Sequence, residues 1–208
     1  MNFRMLCMSI LLLLTLVPAA AGLTDSSKDR FIAEVARLGG RVELDETLTD
    51  KPIIKVDLHG TALTDSDLAF LVDARKDLRH LRYLDLRLTK IGDAGVANIK
   101  GLTSLQTLNL FRTQLSDRGL SYIKNLKQLQ TLLIGGTKVT DAGLVNLKSL
   151  KKLKKLSLFQ TQVTDAAIPH LKVLSKLESL LISGTKITDA GARQLQRALP
   201  ALRFSENT

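Results

Sequence analysis

The chain has 208 residues, 45% of them hydrophobic, with 30 Lys and Arg against 20 Asp and Glu for a formal charge of +10, one cysteine and no tryptophan. A single thiol leaves no disulfide framework and no cysteine-based zinc site. The basic balance suits an acidic polysaccharide, anionic headgroups or an acidic protein face, whereas the scarcity of aromatics among the basic residues argues against nucleic acid.

Residues 1–21 read as a secretory leader. Arg4 is their only charge, Leu6 to Val17 is almost wholly apolar, Pro18 breaks the run, and Ala19-Ala20-Ala21 offers a small-residue cleavage site. The run falls short of the ~18 residues that cross a bilayer. Cleavage after Ala21 and export to the periplasm or the exterior are expected, with an uncleaved anchor as the alternative. No later segment is apolar for long enough to insert in a membrane.

Residues 22–52 predict a capping unit. Ser27 to Leu38 places Phe31, Ile32, Val35 and Leu38 on one side of a helix, Gly39-Gly40 ends it, and Arg41–Leu44 suits a short strand. Over residues 53–204 one unit then recurs, beginning at Leu81, Leu105, Leu129, Leu153 and Leu177, 24 residues apart. A first unit from Ile54 is four residues longer, a partial strand follows the sixth unit, and 205–208 form a tail. A strong repeat at this period specifies a solenoid, in which each unit buries its apolar face against its neighbours.

Residues 129–150 display the unit. Leu129, Leu132 and Ile134 alternate as a half-buried strand does, and Thr137 follows at a turn where its hydroxyl can meet unpaired backbone. The same threonine recurs as Thr61, Thr89, Thr113, Thr161 and Thr185. Thr140 suits a helix N-cap, Asp141 the positive end of the helix dipole, and Val139 with Leu144 a hydrophobic staple.

The pattern resembles leucine-rich repeats, in particular the short-helix type of F-box adaptors, with Thr where that type carries Cys. It is similar as well to secreted bacterial repeat proteins whose units read Leu-x-Leu-x-x-Thr-x-Val-Thr-Asp-Ala-Gly-Leu. The resemblance implies an α/β fold: a curved right-handed stack of strand-helix units with a parallel sheet on its concave face, here with an N-terminal helical cap. It implies a binding mode and no single activity.

Outward strand positions should then line up across the concave face. One column reads His59, Arg87, Phe111, Gly135, Phe159, Ser183, and its neighbour reads Asp57, Asp85, Asn109, Leu133, Ser157, Leu181. Phe111 and Phe159 stand two strands apart, about 10 Å by strand spacing. With Gly135 as floor, Leu133 behind, and Arg112 and Gln160 beside, they could wall a recognition cleft. Units also match at 48 residues, Phe-Arg-Thr-Gln at 111–114 with Phe-Gln-Thr-Gln at 159–162, so copying alone could account for the two rings.

Asp57, His59, Asp85 and Arg87 form a second group, readable as an acid/base centre or as a solvated ion-pair patch. Lys100, Lys124, Lys148 and Lys172 recur near helix ends, as the helix dipole favours, and Lys151, Lys152, Lys154 and Lys155 make a denser basic patch assigned to the convex side. No phosphate loop, nucleophile elbow or metal-ligand motif is visible, and neither cofactor nor metal is expected. The leading expectation is a non-catalytic exported module binding a protein or surface glycan through its concave face. A polyanion or envelope-surface binder using the lysines is the alternative, and a hydrolase using Asp57, His59 and Asp85 is third. The weakly capped C-terminal strand suggests an edge-to-edge homodimer.

Overall fold

In the computed structural model the described residues are 26–205. The leader-like segment 1–21 and the tail beyond Ser205 lie outside them. Eight strands make one sheet in sequence order: β1 (Arg41–Leu44), β2 (Ile53–Asp57), β3 (Tyr83–Asp85), β4 (Thr107–Asn109), β5 (Thr131–Leu133), β6 (Lys155–Ser157), β7 (Ser179–Leu181) and β8 (Arg203–Phe204). β1 runs antiparallel to β2, and every later pair is parallel. The sheet lines the concave face of a curved solenoid, with helical segments behind it. Among the described residues no helix is long and apolar enough to cross a membrane.

The strands form because their side chains alternate between two environments. Leu84, Leu108, Leu132, Leu156 and Leu180 at the strand centres are fully buried, as are Leu86, Leu110, Ile134 and Leu158 two residues on. The parallel ladder continues past the short strands: Leu110 N–H donates to Leu133 O at 2.8 Å and Arg112 N–H to Gly135 O at 2.8 Å. Each strand ends in a turn closed by the recurrent threonine. Thr113 Oγ1 donates to Leu110 O at 2.8 Å, Thr137 Oγ1 to Ile134 O at 2.6 Å, and the other four repeat the bond. Every one of these bonds stays within its own repeat.

The returning half is short and mixed. α1 (Ser27–Arg37) is followed by α2 (Phe70–Asp73) between 3-10 turns at Asp65–Ala69 and Ala74–Lys76, α3 (Asp93–Asn98), and α4 (Asp117–Ile123). Next come α5 (Asp141–Leu144), continued as a 3-10 turn Val145–Ser149, α6 (Ile168–Leu171), entered through a 3-10 turn Asp165–Ala167, and α7 (Asp189–Ala198). Thr140 caps α5, accepting from Ala142 N at 3.3 Å, and both members of its staple, Val139 and Leu144, are fully buried.

The repeated aspartate has a role beyond the helix dipole. Asp117 Oδ1 accepts from Thr140 N at 2.8 Å and Oδ2 from Thr140 Oγ1 at 2.6 Å, one repeat later. Asp93 does the same to Ser116, Asp141 to Thr164 and Asp165 to Thr188. Asp65 takes only the N–H of Gly92, where the next repeat has no hydroxyl. This seam explains the glycine two residues after most of these aspartates. A Cβ on Gly95, Gly119, Gly143 or Gly191 would fall under 3.0 Å from the carboxylate of the preceding repeat.

At the N-terminal end α1 buries Phe31 and Val35, and the Phe31 ring lies 5.2 Å from that of Phe70. Gly39 takes a left-handed φ of 82° where the chain leaves the helix. Gly40 lets the backbone pass against Asp57 O and Leu58, a gap that a Cβ would fill.

Candidate functional site

The expected concave columns form. β2 to β7 place Asp57, Asp85, Asn109, Leu133, Ser157 and Leu181 in direct register. Two residues on, ladder bonds through Arg87 O, Phe111 O, Gly135 O, Phe159 O and Ser183 O align the second column.

The Phe111 and Phe159 rings do not stand apart as walls. They stack with centroids 6.1 Å apart and planes at 29°, much closer than the ~10 Å that two strand spacings separate their backbones. Gly135 is the reason. A Cβ there would meet Phe159 Cβ at 2.9 Å and Phe111 Cδ2 at 3.2 Å, so the rings close over the space that glycine leaves. The feature is a half-buried aromatic ledge rather than an open cleft. The Arg112 guanidinium lies 5.3 Å from the Phe111 centroid, a cation–π distance, Gln160 is exposed beside Phe159, and Leu133 is half-buried on the same face.

Beside the rings is a backbone feature that the sequence reading missed. Gly60, Leu88, Arg112, Gly136, Gln160 and Gly184 occupy equivalent positions, and all have φ between 52° and 74°. Glycine meets this requirement at no steric cost, while Leu88, Arg112 and Gln160 each pay of order 1–2 kcal/mol. Large and small residues also interlock between repeats. A Cβ on Gly136 would strike Arg112 Cγ at 2.7 Å, and one on Gly184 would strike Gln160 Cγ at 2.9 Å. Glycine at three of the six positions, Gly60, Gly136 and Gly184, was the available signal.

The charged group is solvated in part: the His59, Arg87 and Asp57 side chains are 48%, 43% and 26% exposed, and Asp85 alone is buried. Asp85 is 1% exposed and gathers four donors: Tyr83 Oη at 3.1 Å, Asn109 Nδ2 at 3.2 Å, Arg87 N at 3.0 Å and, more loosely, Arg87 Nε at 3.6 Å. Asn109, expected to face outward, is 3% exposed, and its Oδ1 accepts from Phe111 N at 3.1 Å. Asp57 repeats that contact to His59 N at 3.1 Å and also pairs with His59 Nδ1 at 2.7 Å. These are side chains satisfying an N–H two residues on as the strand turns away. Asp or Asn two residues before the turn was the signal, and Tyr83 was overlooked altogether.

Partial burial pushes the Asp57 carboxyl up, but its bonds to the His59 side chain and backbone, with the charges of His59 and Arg87, outweigh this and hold it below its ordinary value. Burial and the neighbouring Asp85 push the Tyr83 phenol up. Asp85 has its acceptor sites occupied and His59 is exposed with one carboxylate partner. Among the described residues no three His, Cys, Asp or Glu side chains gather as a metal-binding group.

The four-lysine patch is divided. Lys155 is the first residue of β6, in register with Thr131 and Ser179, so it stands on the concave sheet rather than the convex side. Lys151 Nζ donates to Val173 O at 3.1 Å, Lys152 Nζ to Gln128 Oε1 at 2.6 Å, and Lys154 pairs with Glu178 at 3.4 Å. These three lie where the chain approaches the strand.

The family profile described as leucine-rich repeat region matches residues 57–204. An internalin crystal structure from Listeria monocytogenes superposes with a TM-score of 0.51 at 17% identity, covering 84% of this chain and 54% of that one. Internalin C2 from the same organism gives 0.46 at 28% identity, with 64% and 56% covered. The chain thus spans about half the length of these structures. The first likeness bears on the fold alone. No curated protein matches the sequence.

Proposed function

We propose, for a chain that belongs to the leucine-rich repeat family, that it is a non-catalytic, exported module recognising a protein surface through its concave face. The observation that carries the proposal is the Phe111/Phe159 ledge. Two aromatic rings stack half-exposed on the concave face, and an arginine held in a left-handed conformation lies against one of them. Aromatic and arginine side chains concentrate binding energy at protein interfaces, and backbone strain kept where glycine would relieve it points to a side chain retained for contact. Half-buried Leu133 and Leu181 continue the apolar surface on adjoining strands, and shape matching over several strands would set selectivity. Export rests on the leader-like residues 1–21.

The test is a pull-down from envelope and secreted extracts with residues 22–208, beside the Phe111→Ala/Phe159→Ala variant, at low and moderate salt. A protein retained by the wild type at both salts and lost by the variant supports the reading. Retention by the variant, with its fold intact by circular dichroism, rejects it.

A further inference from the structure

A groove of about 670 Å³ crosses three successive repeats where the chain approaches its strands. Gln106 at its rim and Phe111 on the ledge are separated by five residues of extended chain, about 16 Å, so the groove and the ledge occupy opposite ends of the strands. Arg79, Arg82 and Lys127 supply its charge. Thr103, Ser104, Gln106, Asn125 and Gln128 supply hydroxyl and amide groups, and no carboxylate lines it. Arg79 reaches Asp50 only at 3.9 Å with both side chains exposed, and Arg82 and Lys127 make no ion pair among the described residues. Asp45 and Asp50 approach only from the N-terminal side. From the next repeat Lys152 Nζ donates to Gln128 Oε1 at 2.6 Å and so adds a cation at the rim.

From this lining we infer a second binding site, for an acidic glycan carrying sulfate or carboxylate groups along a linear chain. Arg79 and Arg82 on the first rung and Lys127 two rungs on, with the uncharged Thr103, Ser104 and Gln106 between them, match a ligand with charges at intervals. Among the neutral side chains Thr103, Gln106 and Asn125 can donate and accept, while Ser104 Oγ already donates to Arg79 O and Gln128 Oε1 already accepts from Lys152 Nζ, and such groups match sugar hydroxyls. An acidic peptide fits less well, because no aliphatic residue lines the groove to seat apolar side chains and its one aromatic ring, His80, is engaged by Arg79, whose Nε donates to His80 Nε2 at 3.2 Å. The site is independent of the ledge, and loss of one leaves the other intact.

Fluorescent dextran sulfate of low mass is titrated against the full chain, with neutral dextran and poly-glutamate as companions. Two variants of equal charge change are compared, Arg79→Gln/Arg82→Gln/Lys127→Gln and Lys100→Gln/Lys124→Gln/Lys148→Gln, after circular dichroism shows both folded. The expected result is binding of dextran sulfate but not neutral dextran, weakened about tenfold or more by the first variant and little by the second, and fading as salt rises. Equal loss in both variants would assign the affinity to diffuse net charge. Poly-glutamate bound as tightly as dextran sulfate would make the ligand an acidic peptide. Either outcome, or no binding at all, overturns the inference.

Discussion

At the scale of single residues, the seam between repeats turns a usual rule around. A glycine within a helix is normally improved by alanine, by roughly 1 kcal/mol. At Gly143 the incoming Cβ meets Asp117 Oδ1, a carboxylate already held by both donors of Thr140, and Leu120 Cδ1 at 2.9 Å. Overpacking against a pinned group costs about 1–3 kcal/mol, and should prevail. Gly143→Ala should therefore destabilise the protein in urea. Adding Asp117→Ala removes the obstruction, so the double variant should lose less than the sum of the two single losses; simple additivity would show that the carboxylate is not what glycine accommodates. The chain contains one natural instance: Ala167 occupies the equivalent position, and the turn leading to it is 3-10 rather than α-helical. Aspartate and glycine were visible as repeating letters, but their relation joins residues 26 apart and needs the stacked geometry to be seen.

Among elements, the strand-to-turn unit shows where sequence patterning carried information and where it did not. Alternation of Leu108 and Leu110 with Asn109 and Phe111 placed the strands and aligned the columns, because a period of two has one meaning in a half-buried sheet. The alternation does not reveal that Asn109 is buried, or that Gly135 allows two rings to meet. Those outcomes depend on lateral packing between strands. The left-handed residue was hidden because half its positions carry large side chains. Arg112→Gly should relieve local strain at the expense of greater freedom in the unfolded chain, leaving stability within about 1 kcal/mol of the wild type or slightly above it. The same change should weaken capture of the concave-face partner. Urea unfolding beside the pull-down checks both parts, and a large stability loss would show that Arg112 serves the fold instead.

For the molecule as a whole, carboxylates that accept hydrogen bonds tie stability to pH. Bonds from Thr188 hold Asp165 below its ordinary value, bonds from Thr64 do so for Asp67, bonds from Thr47 for Asp45, and an Arg37 hydrogen bond for Glu34; Asp57 is also lowered. A depressed folded value means that the stabilisation is complete above the unfolded value, about 4, and is lost as pH falls through the folded value below it. The excess of cations, already +10, adds repulsion in the same direction. Urea midpoints should thus decline between pH 5 and pH 2, roughly the range over which such groups protonate. Asp165→Asn should cost more at pH 7 than at the acid end; an equal cost at both would detach this seam from the titration. The global architecture was legible because 24-residue copying writes one geometry many times, whereas the pH response arises at boundaries between copies.

Each seam bond points forward, from the aspartate of one turn to the cap of the next. Asp165 is the last described aspartate to make it, and Asp189 has no such bond among the described residues. The molecule therefore has a direction, like a chain of couplings with a hook on every leading end. Lengths that differ by whole units keep every coupling matched, while a cut within a unit leaves a hook without an eye. A tandem copy of 48 residues is the kind of genetic accident such a grammar forgives: the pairs Phe111/Phe159 and Gly136/Gly184 could be copied together, fit on arrival, and then be free to diverge toward separate ligands, as Arg112 and Gln160 have diverged.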